Sequence, residues 1–489
     1  MEIDSQTLVQ IAAYIGGGLA IGFGAIGAAL GQGYTAAQAD MAISEDPDKY
    51  SEITRNMLVG QAVAESAAIF ALVVAVLLLF TAPEAPTILT AAAMVGAGAC
   101  MGLGALGSGL GAGFPAGQTC AAIIKARDPE IRNRMSTVML IGQAVCQTPA
   151  ILAMVVALMM IFMNFGDPST IKAFAILGAG LCMGLGGIGS GIGSGMPAGE
   201  ACMAMTRQPK ISGNLTTVML IGAAVCQTPV ILAMVIALML LFVDFTGDMM
   251  IVTVKSMALL GAGLCMGLGA IGSGAGSGYP GGAACRGIGT QPEAQGLLTT
   301  NMLVGAAVCQ TPAIFAMVIA LILMFVNFGD VPVNPYGAAF LAAGLSTGLA
   351  AIGSGYGGGM AAGASCDGIA RNPRTVGIVT TTMLVGQAVA QTPVIFGLLI
   401  SFILLFKFHP EAVTYAPPAA LIGAGICMGF GAIGPGFGNG IAAASAIGWV
   451  ARNQENSGLL MRMMLVAQAV SQSTAIYSMV IALVLLFVI

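Results

Sequence analysis

Apolar runs of about 20 residues recur along the chain of 489 residues, among them Met57 to Phe80, Val138 to Phe162 and Met464 to Ile489, with short polar stretches between them. Wound as an α-helix, a run of that length crosses a hydrocarbon core of about 30 Å. The pattern also repeats at a longer period. Residues 61–66, Gln-Ala-Val-Ala-Glu-Ser, align with residues 143–148, Gln-Ala-Val-Cys-Gln-Thr, and the series returns every 80 to 83 residues at Glu65, Gln147, Gln227, Gln310, Gln391 and Gln472. Each copy has a glycine-rich first helix, a short polar loop and a second helix richer in Leu, Ile, Met and Val, which together make a helical hairpin. The reading is an all-α integral membrane protein of twelve helices, with hairpins at 8–81, 88–164, 171–243, 253–327, 336–407 and 416–489.

The glycines change the picture from separate hairpins to a crowded array. Gly16, Gly18, Gly22, Gly24, Gly27, Gly31 and Gly33 strip side chains from whole faces of the first helix, and the later copies repeat this. In lipid such small residues let neighbouring helices approach closely. An inner ring of first helices is the simplest arrangement. A glycine-rich phosphate loop is the competing reading, but no Lys-Ser/Thr follows and the surroundings are apolar.

Composition agrees and removes several classes of function. Charged residues are 7% of the chain against 57% hydrophobic, so water is not the main solvent. A net charge of −4, the lack of a basic tract and the single His409 argue against nucleic acid and metal chemistry, and no organic cofactor is indicated. The eleven cysteines follow the repeat and form no Cys-x-x-Cys, which marks them as small packing residues. Met1-Glu2-Ile3-Asp4 offers neither a basic stretch nor a cleavage pattern, so the first helix is expected to insert and stay. Thirteen of the sixteen basic residues lie in the hairpin loops and their flanks, and Lys172, Lys255 and Lys407 lie where one hairpin joins the next. By the positive-inside rule the loops face the cytoplasm and both termini face out.

One position carries intramembrane chemistry. Glu65 lies eight residues, or about 12 Å of helix rise, beyond Met57 in a span with no other charge. A bare charge there costs about 2.5 kcal/mol or several times that, so the group must be protonated or joined to a cation. With Ser66 beside it and Gln32 between two glycines of the first helix, the oxygens suit Na⁺ or H⁺ rather than a transition metal. A buried Glu serving as interhelical glue is the plain alternative. No membrane enzyme is indicated, because no nucleophile–base pair or metal cluster is visible.

Hairpins of this length, with Gly-x-Gly repeats, loops such as Ala370-Arg371-Asn372-Pro373 and Thr206-Arg207-Gln208-Pro209, and a second-helix Glu, resemble the rotor-ring c subunit of rotary ATP synthases, six times over. The resemblance implies a two-layered membrane ring. It implies a helix-two carboxylate that binds and releases H⁺ or Na⁺ while the ring turns past an Arg-bearing stator subunit, and loops at Arg127, Arg207, Arg371 and Arg452 that grip a central stalk. Partners would be copies of the chain itself, ordinary single-hairpin c subunits and membrane lipid, in a bacterial or archaeal cytoplasmic membrane. Copy one further resembles the F-type, sodium-binding branch, which would assign Gln32, Val63, Glu65 and Ser66 to the ion.

The departures matter as much. Where the sodium branch carries a capping Tyr, copy one has Phe70, and Tyr477 is the one Tyr among the six equivalents. Copies two to six replace the Glu with Gln147, Gln227, Gln310, Gln391 and Gln472, and copies two to five add Pro149, Pro229, Pro312 and Pro393. These hairpins read as neutral spacers. The position of Gln32 becomes Ala112, Ser194, Ser277, Gly358 and Asn439, so a neighbouring chain's copy six would bring Asn439 and the carbonyl of Val470 to Glu65. Two other readings are a V-type proteolipid, whose branch also fuses hairpins and drops carboxylates, and a structural or channel scaffold in which Glu65 is a relic.

Overall fold

The computed structural model describes residues 4–81, 86–245, 252–327, 331–412 and 414–487, apart from the side chains of residues 333 and 334. Twelve helices there are long and apolar enough to span a membrane, and no strand occurs among the described residues. They pair as Ser5–Glu45 with Pro47–Phe80, Ile88–Ile123 with Pro129–Phe162, Thr170–Arg207 with Pro209–Phe242, Val252–Thr290 with Pro292–Phe325, Pro335–Arg371 with Pro373–Phe406, and Ala416–Val450 with Gln454–Phe487. These pairs are called hairpins 1 to 6.

The turn between the two helices is made the same way in most copies. A proline opens a single 3₁₀ turn, Pro47–Lys49, Pro209–Ile211, Pro292–Ala294 or Pro373–Thr375, and the second helix continues from it. Proline suits this place because its fixed φ fits a helix start and its missing N–H would have no partner there. Hairpin 2 instead caps its second helix with Asp128, whose Oδ1 accepts from Glu130 N at 2.9 Å just before Pro129.

Glycine sets the packing. The first helices lie side by side in chain order, each against the next along its length, while second helices touch their neighbours far less. A Cβ added at Gly98, Gly180, Gly263, Gly344 or Gly425 would overlap the backbone of the preceding hairpin, and so would one at Gly113, Gly195, Gly278, Gly359 or Gly440. Tight spacing inside and loose spacing outside curve the array into an arc of two layers. No packing of comparable extent joins hairpin 1 to hairpin 6 among the described residues, so the arc is open. Leu140, Ile151, Val155 and Phe162 of the outer layer stay exposed, as a lipid-facing surface would.

The basic residues between hairpins sit deeper than the sequence suggests. Lys172 and Lys255 fall inside first helices rather than in connecting segments, because those helices begin at Thr170 and Val252. Lys255 is fully buried and donates to the carbonyl of Met324 at 2.8 Å, at the end of its own hairpin's second helix. The cation meets carbonyls left unpaired at a helix C-terminus, where the helix dipole is negative.

Candidate functional site

Glu65 stands in the middle of the second helix Tyr50–Phe80, exposed at the free edge of the arc. The amide of Gln32 donates to its Oε2 at 3.4 Å and to the carbonyl of Gln61 at 3.5 Å. Gln61 returns a bond to the carbonyl of Gln32 at 3.1 Å, which fixes the two helices at this level. Gly31 and Gly33 flank Gln32, so its immediate neighbours along the helix carry no side chain. Ser66 bonds back to the carbonyl of Ala62 at 3.4 Å, one turn below. The structure thus brings Gln32 to Glu65, with Ser66 adjacent in sequence.

Val63 is engaged elsewhere: its carbonyl accepts from Gln147 Nε2 of hairpin 2 at 3.0 Å. The same bond recurs along the arc. Gln227 donates to Val145 at 3.2 Å, Gln310 to Val225 at 2.8 Å and Gln391 to Val308 at 2.6 Å. Each amide therefore reaches the preceding hairpin, two residues before that hairpin's own register position. Hairpin 6 makes the link through its first helix, where Asn439 donates to Val389 at 3.2 Å and to Gln472 Oε1 at 3.5 Å. Asn439 thus bridges its own hairpin and hairpin 5, whereas the Gln32 amide donates within hairpin 1.

The prolines explain why four of these carbonyls, those of Val145, Val225, Val308 and Val389, lack their helical partner, though not that of Val63. In an α-helix a carbonyl accepts from the N–H four residues later, and proline has none. Pro149, Pro229, Pro312 and Pro393 stand four residues after Val145, Val225, Val308 and Val389. Each leaves a carbonyl without its helical N–H in an apolar helix, and the next hairpin's amide fills that place, joined at Val389 by the hydroxyl of Thr392 at 2.8 Å. The second helix breaks at Gln147, Gln310 and Gln391, while hairpin 3 runs unbroken over Ser212–Phe242. Hairpin 1 carries Ala67 and hairpin 6 carries Thr474 at the proline position. The amide must present nitrogen to these oxygens, so in hairpins 2 to 5 the register position holds a fixed neutral donor.

The remaining charges gather at the loop end. Arg127, Arg207, Arg371 and Arg452 are all exposed there, and Arg452 stacks over the ring of Trp449 at 4.7 Å. A cluster that sequence reasoning did not assemble lies one to two turns deeper, on the first helices. Arg286 of hairpin 4 is held by Glu200 of hairpin 3 at 2.6 Å and by Asp367 of hairpin 5 at 2.9 Å. Its only signal in the sequence is three charges in equivalent stretches of three consecutive copies.

Comparison with known proteins agrees with this geometry. The family of the ATP synthase C subunit matches six times, over residues 15–78, 95–160, 177–240, 260–323, 341–404 and 422–485. The A-type ATP synthase K subunit of Methanocaldococcus jannaschii is 33% identical over 233 residues, 47% of this chain and 96% of that protein. The ATP synthase c subunit of Petrotoga mobilis is 56% identical over 68 residues, 14% of this chain and 71% of that protein. That of Natranaerobius thermophilus is 49% identical over 81 residues, 17% of this chain and 93% of that protein.

Proposed function

The chain belongs to the ATP synthase C-subunit family, and from that premise we propose that it is a membrane rotor component that carries one ion per chain on Glu65. It is a multi-pass membrane protein and an ion-translocating part of a larger machine rather than a catalyst. The observation that carries the reading is the contrast within one register: a carboxylate beside Gln32 in hairpin 1, amides in the other five. The carboxylate, with hydroxyl and carbonyl oxygens, makes a hard site for Na⁺, with H⁺ as the other ion it can carry. The hairpins bearing Gln147, Gln227, Gln310, Gln391 and Gln472 turn through lipid as permanently neutral spacers. Partners on this reading are a stator subunit whose Arg meets Glu65, and a central stalk gripped by the loops of Arg127, Arg207, Arg371 and Arg452. The loops face the cytoplasm, where the basic residues concentrate.

The test is labelling with a carboxyl-reactive carbodiimide, with and without Na⁺, read by mass spectrometry. Labelling of Glu65 that Na⁺ suppresses is the expected result. Labelling without protection would assign protons, and no labelling at Glu65 would sink the ion-carrying role.

Spacing the carboxylates this widely has an energetic consequence. An ion crossing about 150 mV gains about 3.5 kcal/mol, so a ring of two or three such chains collects only two or three such increments per turn. With three nucleotides handled per turn, that favours ATP-driven pumping over synthesis. Net ATP synthesis by a complex whose ring holds this chain alone would defeat the pump. A second reading, an A- or V-type machine, is favoured by the match to the A-type K subunit, which runs over 233 residues and so exceeds two periods of the repeat. The stalk and stator subunits that co-purify decide between the types.

A further inference from the structure

Gln61 lies one helical turn before Glu65 on the second helix of hairpin 1, and its amide reaches the first helix. Gln61 Nε2 donates to the carbonyl of Gln32 at 3.1 Å. The same brace, across the same separation of 29 residues, joins Gln143 to Ala112, Gln387 to Gly358 and Gln468 to Asn439, each at 3.0 Å. Hairpins 3 and 4 are built without it. They carry Ala223 and Ala306 at this place, and the hydroxyls of Ser194 and Ser277 in their first helices bond back to Ser190 and Ser273 of the same helix.

The brace does different work in different copies. Gln143, Gln387 and Gln468 are fully buried and also donate to a glycine carbonyl of the preceding hairpin, Gly60 at 2.7 Å, Gly305 at 2.9 Å and Gly386 at 3.0 Å. There one amide stitches two hairpins together. Gln61 meets no second acceptor among the described residues, so its brace acts on Gln32 alone.

The backbone it holds is easily displaced. Gln32 sits between two glycines, the residue with the greatest conformational freedom, and on one side Gly33 meets open space. The Gln32 side chain depends on that backbone, because its Nε2 spans two acceptors one turn apart, Glu65 Oε2 at 3.4 Å and the Gln61 carbonyl at 3.5 Å. Both bonds are long, and bonds near this limit weaken steeply when a partner shifts. Both acceptors take N–H, so an amide turned the other way would set oxygen against oxygen. In the observed orientation Oε1 is the atom left for a hard cation.

We infer that Gln61 is a positioning residue of the Glu65 site: by holding the Gln32 backbone against the second helix it keeps that amide aligned, and so raises the Na⁺ affinity of the site. The inference rests on the ion-carrying reading of Glu65. Gln61 acts through Gln32, without touching the carboxylate.

The test is Na⁺ protection of Glu65 from carbodiimide in Q61A and Q61M, the second of which keeps bulk without a donor. Hairpins 3 and 4 fold with alanine at this place. Groups that orient a ligand commonly change metal affinity about tenfold or more; at this exposed edge both variants are expected to need about fivefold more Na⁺ for half-protection. Q32A is expected to need about tenfold more, and Q32A/Q61A no more than Q32A, whereas independent contributions would multiply to about fiftyfold. Q387A removes the same brace from hairpin 5 and should leave the curve in place. Unchanged half-protection in Q61A and Q61M, a multiplied effect in the double variant, or an equal shift in Q387A would each overturn the positioning role while Na⁺-protected Glu65 in the parent keeps the ion-carrying reading. A parent chain whose Glu65 labels without Na⁺ protection would remove the Na⁺ reading, and the positioning role with it.

Discussion

Hairpins 1 and 4 put opposite chemistry at one register position, Glu65 in an unbroken helix and Gln310 at a helix break. In hairpin 1, Glu65 stands at an open edge with one amide donor, Gln32, at 3.4 Å. In hairpin 4, Gln310 is pinned at 2.8 Å to the carbonyl of Val225, which Pro229 has released from its helix. The second arrangement is not the first with a charge deleted. It puts an N–H donor at the register position, supplies an acceptor through a proline in the preceding copy, and has Ser277 in the register of Gln32. An ion site in this array can therefore be lost in several independent steps, and restoring the carboxylate alone does not recover it.

The largest effect expected follows from removing the one carboxylate in this register. E65Q should abolish carbodiimide labelling in the spans and all ion-coupled ATP turnover, while the ring still assembles as the neutral copies do. Retained Na⁺-dependent turnover would break the comparison at its root. Next in size, Q310E should fail to create a second site. Its carboxylate would face the Val225 carbonyl with no amide donor from the first helix, and an unmatched charge at mid-membrane costs about 2.5–3.5 kcal/mol or more. Loss of assembled protein is the expected readout. Q472E should behave differently, because Asn439 already stands 3.5 Å from the register side chain and spans to Val389. A second reactive carboxyl per chain, doubling the label, would show that hairpin 6 lacks little besides the charge.

Much of this was legible in the sequence, and the limits have physical causes. The period of 80 to 83 residues, the twelve spans and Glu65 follow from hydropathy and repetition, which one chain displays in full. The role of the prolines does not follow from them. A freed carbonyl becomes meaningful only once the next hairpin's glutamine is known to lie beside it, and that needs the order and register of packing. Val63 shows the same limit. It sits two residues from Glu65 in sequence, yet its carbonyl points to the following copy and bonds Gln147. The cluster of Arg286 with Glu200 and Asp367 joins three copies, and each charge alone reads as a helix end near a polar loop.

Smaller effects sharpen the contrast between own-hairpin and cross-hairpin contacts. Q32A removes a donor to a charged oxygen, a bond of about 1.5–3 kcal/mol in general and less here because the site edge is exposed. A rise of roughly tenfold in the Na⁺ concentration that protects Glu65 from carbodiimide is expected, about 1.4 kcal/mol. An unchanged protection curve would mean that Gln32 only joins the two helices through Gln61.

The smallest effect expected is the most discriminating. Sequence alone lets Asn439 of a neighbouring chain stand in for Gln32 at the Glu65 site. In the structure Gln32 bonds within its own hairpin, to Glu65 and Gln61, while Asn439 bonds Gln472 of its own hairpin and the Val389 carbonyl of hairpin 5, the neighbour on the side away from the free edge of hairpin 6. N439A should therefore leave Na⁺ protection of Glu65 within about twofold of the parent, a difference of roughly 0.4 kcal/mol. It should lower the stability of hairpin 6 against hairpin 5 by about 1 kcal/mol, the worth of one interhelical hydrogen bond in lipid, seen as easier thermal release from the assembled protein. Weakened Na⁺ protection would mean that Asn439 reaches the Glu65 site of a neighbouring chain rather than only Gln472 and Val389.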